Sequence, residues 1–144
     1  MANVIPDSFK TDLLKGTFNF DSSGGSTFKL ALYTDISGLT TSTSAFTATN
    51  EVSTSGTNYS SGGNTLTNNG VAVGSNIAFV DFADLTFSSV TLSAVGALIY
   101  KSSSGNEAVL VLDFGGTKTA TNGDFVVQFP TASSSAAIIR LGNA

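Results

Sequence analysis

The chain has no cysteine, no histidine and no tryptophan, and only 11% of its residues are charged. Each absence removes a class of reading. Without cysteine there is no disulfide framework, no thiolate zinc site and no thiol nucleophile. Without histidine the commonest general base is missing. The basic residues Lys10, Lys15, Lys29, Lys101, Lys118 and Arg140 are scattered, so no patch can neutralise a run of phosphates and no nucleic-acid partner is expected. The longest apolar runs, Ala108–Leu112 among them, fall far short of the ~20 residues that span a bilayer, and no membrane partner is expected.

What is there is serine and threonine, at 40 of 144 positions, with eleven phenylalanines in a 41% hydrophobic chain of net charge −4. A single domain over residues 1–144 is expected, since ~100–200 residues per domain is usual. The apolar content is enough for a core, and high net charge with low hydrophobicity, the mark of disorder, is absent. Such a composition suits a β-rich protein that lives outside cells or packed against neighbours. Yet the chain opens MANVIPDSFKTDLLKG, with no apolar run and no small-residue cleavage site, so export is not expected. A protein made in the host cytoplasm but dressed for the outside points to a part of a particle, and the expected location is a virion.

Residues 1–16 read as an N-terminal arm with the one persuasive helix, over roughly Ser8–Lys15. Asp7 or Ser8 caps it after Pro6, Phe9, Leu13 and Leu14 form its apolar stripe, and Gly16 stops it. The remainder reads as strands and turns. Thr27–Tyr33 alternates, with Phe28, Leu30 and Leu32 on one face. Asn69-Gly70 and Asn122-Gly123 read as hairpin turns, before strands at Val71–Val73 and Phe125–Phe129. Phe79–Phe87 is apolar on both faces and reads as a strand that bends or bulges midway. Val95–Tyr100 and Ala108–Phe114 are expected to be central strands joined as an antiparallel hairpin, and Ala137–Leu141 is the last strand. Between Gly38 and Gly70, Leu39, Phe46, Val52, Tyr59 and Leu66 anchor an ordered Ser/Thr/Gly-rich excursion in which Glu51-Val52 marks an edge strand. No internal repeat is present. The expected class is all-β, an antiparallel β-sandwich or jelly-roll-like barrel with one short N-terminal helix.

Little here does chemistry. A carboxylate pair would have to come from Asp81, Asp84, Asp113 and Asp124, and solubilising or turn-capping roles suit these better. No spacing of acidic residues matches a calcium loop, and Asp113-Phe-Gly-Gly116 lacks the loops that accompany the kinase tripeptide. No catalytic residue, cofactor or metal is expected.

Phe9-Lys10, Leu13–Gly16 and Lys29–Asp35 resemble the opening of small virion structural proteins of tailed bacteriophages, among them capsid decoration or cement proteins. Thr47–Val52, Tyr59–Gly63, Asp81–Asp84, Gly96–Tyr100, Val111–Gly116, Thr121–Phe125, Phe129-Pro130 and Ala137–Arg140 continue the similarity over nearly the whole chain. The resemblance implies a non-enzymatic structural protein whose partner is the major capsid protein or another virion protein. A homo-oligomer, with a trimer favoured at a capsid axis, is expected. The candidate interaction surface is Phe9, Leu13, Leu14, Phe46, Val52 and Tyr59. Alternative readings place the chain in the tail, as a tube, adaptor or fibre-associated protein, or make it a receptor- or glycan-binding module with an aromatic cleft near Tyr59 and Phe46.

Overall fold

A computed structural model describes residues 2–143. Its elements are α1 (Asp7–Leu14), β1 (Phe28–Tyr33), β2 (Asn64–Thr65), β3 (Asn68–Gly74), β4 (Ile77–Phe82), β5 (Leu85–Lys101), β6 (Ala108–Val127) and β7 (Ile139–Leu141). They form a four-stranded sheet in the order β2-β1-β5-β6 and a three-stranded sheet in the order β3-β4-β7. All pairings are antiparallel. The two sheets do not close on each other, so of the two expected architectures the sandwich is the one adopted, with its single short helix.

Helix α1 starts at Asp7, and neither expected cap residue caps it. Pro6 occupies the cap position with extended backbone and no side-chain bond. Asp7 lies inside the first turn, where its charge meets the positive helix end and pairs with Lys10 at 2.8 Å. Ser8 instead donates to the Thr43 carbonyl at 3.3 Å, tying the helix to the excursion. The stop is as expected. Gly16 takes φ 77°, its N–H reaches the Leu13 carbonyl at 3.1 Å, and the Thr17 N–H reaches the Asp12 carbonyl at 3.0 Å. The apolar stripe is narrower than its sequence, because Phe9 is buried and Leu13 packs on the core while Leu14 is 85% exposed.

Strand β1 is buried on both faces, which gives the domain two cores. Phe28, Leu30 and Leu32 face the larger one, between the sheets, where Val80, Phe82 and Ile139 meet them from the three-stranded sheet. Phenylalanines concentrate there: Phe20 stacks on Phe28 at 4.6 Å, and Phe82 meets Phe28 edge-on at 5.7 Å. Ala31 and Tyr33 face a smaller core with Leu98, Tyr100 and Val111, covered by Ile36, Leu39, Phe46 and Val4. Val4 exchanges two backbone bonds with Val111, at 3.0 and 2.8 Å, so the N-terminal arm shields the outer edge of β6 at that point.

The hairpin of Val95–Tyr100 and Ala108–Phe114 is present with the register Leu98–Val111, but both strands run on much further than expected. Phe125–Val127 belongs to the same strand as Ala108, because Asn122-Gly123 is a bulge and not a turn: Asn122 has φ 46° and the pairing shifts register at Val90–Gly123. Asn69-Gly70 is likewise a bulge inside β3, with Gly70 at φ 98°. Gly115 and Gly116 kink β6 where its register steps between Lys118 and Asp113. Some bulges, like the primed hairpin turns, take a residue with positive φ, so the dipeptide signals either. The β3–β4 turn falls on Ser75-Asn76, at φ 50° and 64°. Phe79–Phe87 bends as expected, at Ala83-Asp84, and the chain changes sheets there.

Candidate interaction surface

The apolar anchors of the excursion are turned into the fold. Leu39, Val52, Tyr59 and Leu66 are buried, and Phe46 stacks on Tyr100 at 4.8 Å. Glu51 makes a single bridge to Tyr33 in place of an edge strand, and the Val52 N–H bonds the Leu32 carbonyl at 2.9 Å. Of the contact residues named from sequence, Phe9, Val52 and Tyr59 lie in the larger core, Leu13 packs against it, and Phe46 covers the smaller one. Only Leu14 stands free. Tyr59 and Phe46 lie against different cores, Tyr59 tilted against Phe87 and Phe46 stacked on Tyr100, so they line no common cleft.

Glu51 organises the excursion. Its carboxylate accepts from the Tyr59 hydroxyl at 2.8 Å, the Ser61 hydroxyl at 2.9 Å and the Gly62 N–H at 2.6 Å. The Tyr59 hydroxyl in turn accepts the Leu32 N–H at 3.0 Å, and Tyr100 donates to the Gly62 carbonyl at 2.7 Å. Burial, aided by the charge of Glu51, pushes the phenols of Tyr33 and Tyr100 above their ordinary range. Burial does the same to Tyr59. These phenols are neutral donors throughout the physiological range, which makes the cluster a clamp on the loop. Among the described residues every buried side-chain nitrogen and oxygen has a partner.

The other carboxylates serve bulges and turns. Asp84 accepts from the Phe129 N–H at 2.8 Å, and Asp124 from the Ser89 N–H at 3.2 Å. Asp81 accepts from the Asn69 amide at 2.8 Å, beside the β3 bulge. The Gly115 N–H, 2.8 Å from Asp113, holds that carboxyl below its usual range, and the Ser103 hydroxyl does so for Glu107. No group of three or more acidic side chains converges on a metal-sized site among the described residues.

The unsatisfied surface lies elsewhere, on the three-stranded sheet. Register places Val71 beside Val80 and Ile139, and Val73 beside Ala78 and Leu141, so all six share one face. Val80 and Ile139 sit in the larger core. One pair of residues further along, and at the β3 end of the Val80 row, that face overhangs the core: Val73 is 75% exposed, Leu141 62% and Val71 53%. The overhang forms a shallow cleft with Ala78, Asn76 and Gly142. Its edge is open as well, since among the described residues β3 pairs with β4 and has no strand on its other side. An inward-type sheet face with valines and leucine in solvent costs ~25 cal/mol for each Å² of apolar area left wet, and covering it recovers that.

No protein-family model matches this chain, and no curated protein or solved structure matches it either.

Proposed function

We propose that this chain is a non-enzymatic structural protein of a tailed-phage virion, a capsid decoration or cement protein that docks on the major capsid protein. The observation that carries the reading is the apolar overhang of Val71, Val73 and Leu141, on a surface otherwise dominated by uncharged serine and threonine. Such a patch is what a protein needs when it works bound to a larger surface. A site for turnover would need convergent acids, bases or ligands, and the carboxylates here are occupied with backbone N–H groups. Each contact of this size is weak alone. Copies that also associate with one another on a repeating shell bind collectively, because each attachment raises the effective concentration of the next.

The test is reconstitution. Purified protein added to expanded capsids that lack it is expected to bind at hundreds of copies per particle, and Val73→Lys with Leu141→Lys is expected to abolish that binding while the protein stays folded. No binding to shells refutes the reading. A few to a few dozen copies, confined to the tail, moves the protein to the tail-associated alternative.

A further inference from the structure

We propose that a second copy of this chain pairs antiparallel along the open edge of β3, about a two-fold axis through Ala72. The register follows from the turn. A two-residue turn closes on a hydrogen-bonded pair, here Gly74–Ile77, and the pairs then alternate back along the hairpin. Gly74 and Ala72 therefore direct their N–H and C=O to β4. Val73 and Val71 direct theirs outward, to the edge that no strand covers.

Those outward groups fit their own copy. With Ala72 opposite Ala72 of the second copy, Val71 lies opposite Val73 of the second copy and the reverse, and both are hydrogen-bonded pairs. The sheets join into one of six strands. On the core-type face, the row Leu141, Ala78, Val73 continues into Val71, Val80 and Ile139 of the second copy, so each exposed valine gains an apolar cross-strand neighbour.

No charge on the edge opposes a second copy. From Asn68 to Asn76 the sequence NNGVAVGSN carries no ionisable side chain and no proline, so two edges of a chain of net −4 meet without repulsion. Native sheets ordinarily blunt an open edge with lysine, proline, an inward charge or a bulge. Here the bulge at Asn69-Gly70 lies at the beginning of β3, and Val71–Gly74 beyond it have no such device. On the other face the edge carries Gly70, Ala72 and Gly74; Ser22 lies over Gly70, Phe79 and Ser134 lie over Gly74, and Ala72, at the axis, is exposed.

The inference does not rest on the virion reading, and its tests use the purified protein alone. Sedimentation equilibrium from micromolar to millimolar chain is expected to show a monomer–dimer equilibrium. Val73→Lys, at a solvent-exposed position, is expected to raise the dissociation constant about 10-fold or more, because the symmetric dimer carries the substitution twice. Leu14→Lys, remote from β3, is expected to leave it unchanged. The chain has no cysteine, so register can be read by crosslinking. Ala72→Cys places two thiols on the axis in a non-hydrogen-bonded pair, about 4.5 Å apart at Cα, within disulfide reach. It is expected to form a covalent dimer under mild oxidation, whereas Val73→Cys is not. A chain that stays monomeric at millimolar concentration, a trimer indifferent to Val73→Lys, or crosslinking by Val73→Cys in place of Ala72→Cys would each overturn the proposal.

Discussion

Removing one oxygen from Tyr59 tests whether the Glu51 clamp holds the excursion to the sheet. Tyr59→Phe keeps the ring, with its contact to Phe87 at 5.7 Å, so little apolar burial is lost. What is lost is the acceptor for the Leu32 N–H at 3.0 Å and a donor to Glu51 at 2.8 Å. Leu32 is fully buried near the end of β1, and a buried N–H left without a partner costs about 1–3 kcal/mol. The loss at Glu51 is smaller, because its carboxylate is half-buried and keeps the Ser61 hydroxyl and the Gly62 N–H. Together these give a destabilisation of about 2–3 kcal/mol, or roughly 5–10 °C in Tm for a domain of this size. Urea unfolding, with an unchanged slope against denaturant, measures it directly. Combining the change with Glu51→Gln should cost less than the sum of the two, since both act on one network. A loss below about 0.5 kcal/mol for Tyr59→Phe would refute the reasoning, because an exposed, uncoupled position behaves that way.

The same region gives two further expectations. A Cβ on Gly63 would run into the Leu30 carbonyl at a position with φ 71°, so Gly63→Ala should cost about 3 kcal/mol or more, while Gly38→Ala, which meets nothing, should stay within about 0.5 kcal/mol of the parent in the same unfolding assay. The phenols of Tyr33, Tyr59 and Tyr100 are raised in the fold against about 10 in the unfolded chain. The folded state therefore holds more protons above that pH, so their contribution is intact below about pH 10 and stability falls as pH rises beyond it. Tyrosinate absorbance should accordingly appear together with loss of the β-sheet circular dichroism signal, and ionisation near pH 10 in an intact fold would contradict the buried clamp. At the helix, Phe9→Ala should cost about 3–5 kcal/mol and Leu14→Ala almost nothing by thermal unfolding, since only the first side chain is packed.

Much of the sandwich can be read from the chain because its signals are local. Phe28, Leu30 and Leu32 alternate, Val95–Tyr100 and Ala108–Leu112 are apolar on both faces, and the widely spaced anchors Leu39, Val52, Tyr59 and Leu66 have no reason to be apolar unless buried. The bulges at Asn69-Gly70 and Asn122-Gly123 look like turns in sequence because positive φ is all that the dipeptide specifies; whether the strand reverses or continues depends on partners far along the chain. The open sheet face is harder still. Val71-Ala-Val73 and Ile139-Arg-Leu141 alternate as core-facing strands do, and periodicity says which side chains share a face. It does not say how far the opposing layer extends beneath them. Conversely, Phe46 and Tyr59 are isolated aromatics in a polar stretch, and that same isolation is why the fold needs them inside.

Folding and association are consequently assigned to different residues, which can be tested as a pair of dissociable effects. The clamp residues Glu51, Tyr59 and Gly63 are held within the domain, whereas Val71, Val73 and Leu141 are largely solvent-exposed, and from their sheet it is Val80, Phe82 and Ile139 that fill the core. Tyr59→Phe should therefore lower the unfolding midpoint while leaving the dimerisation constant, measured well below that midpoint, as it was. Val73→Lys should do the reverse, weakening association with a change in monomer stability within about 0.5 kcal/mol. A Val73→Lys protein that unfolds more easily as a monomer would mean that the valine is packed in the isolated chain, and the overhang would then be part of the core and not a surface made to be covered.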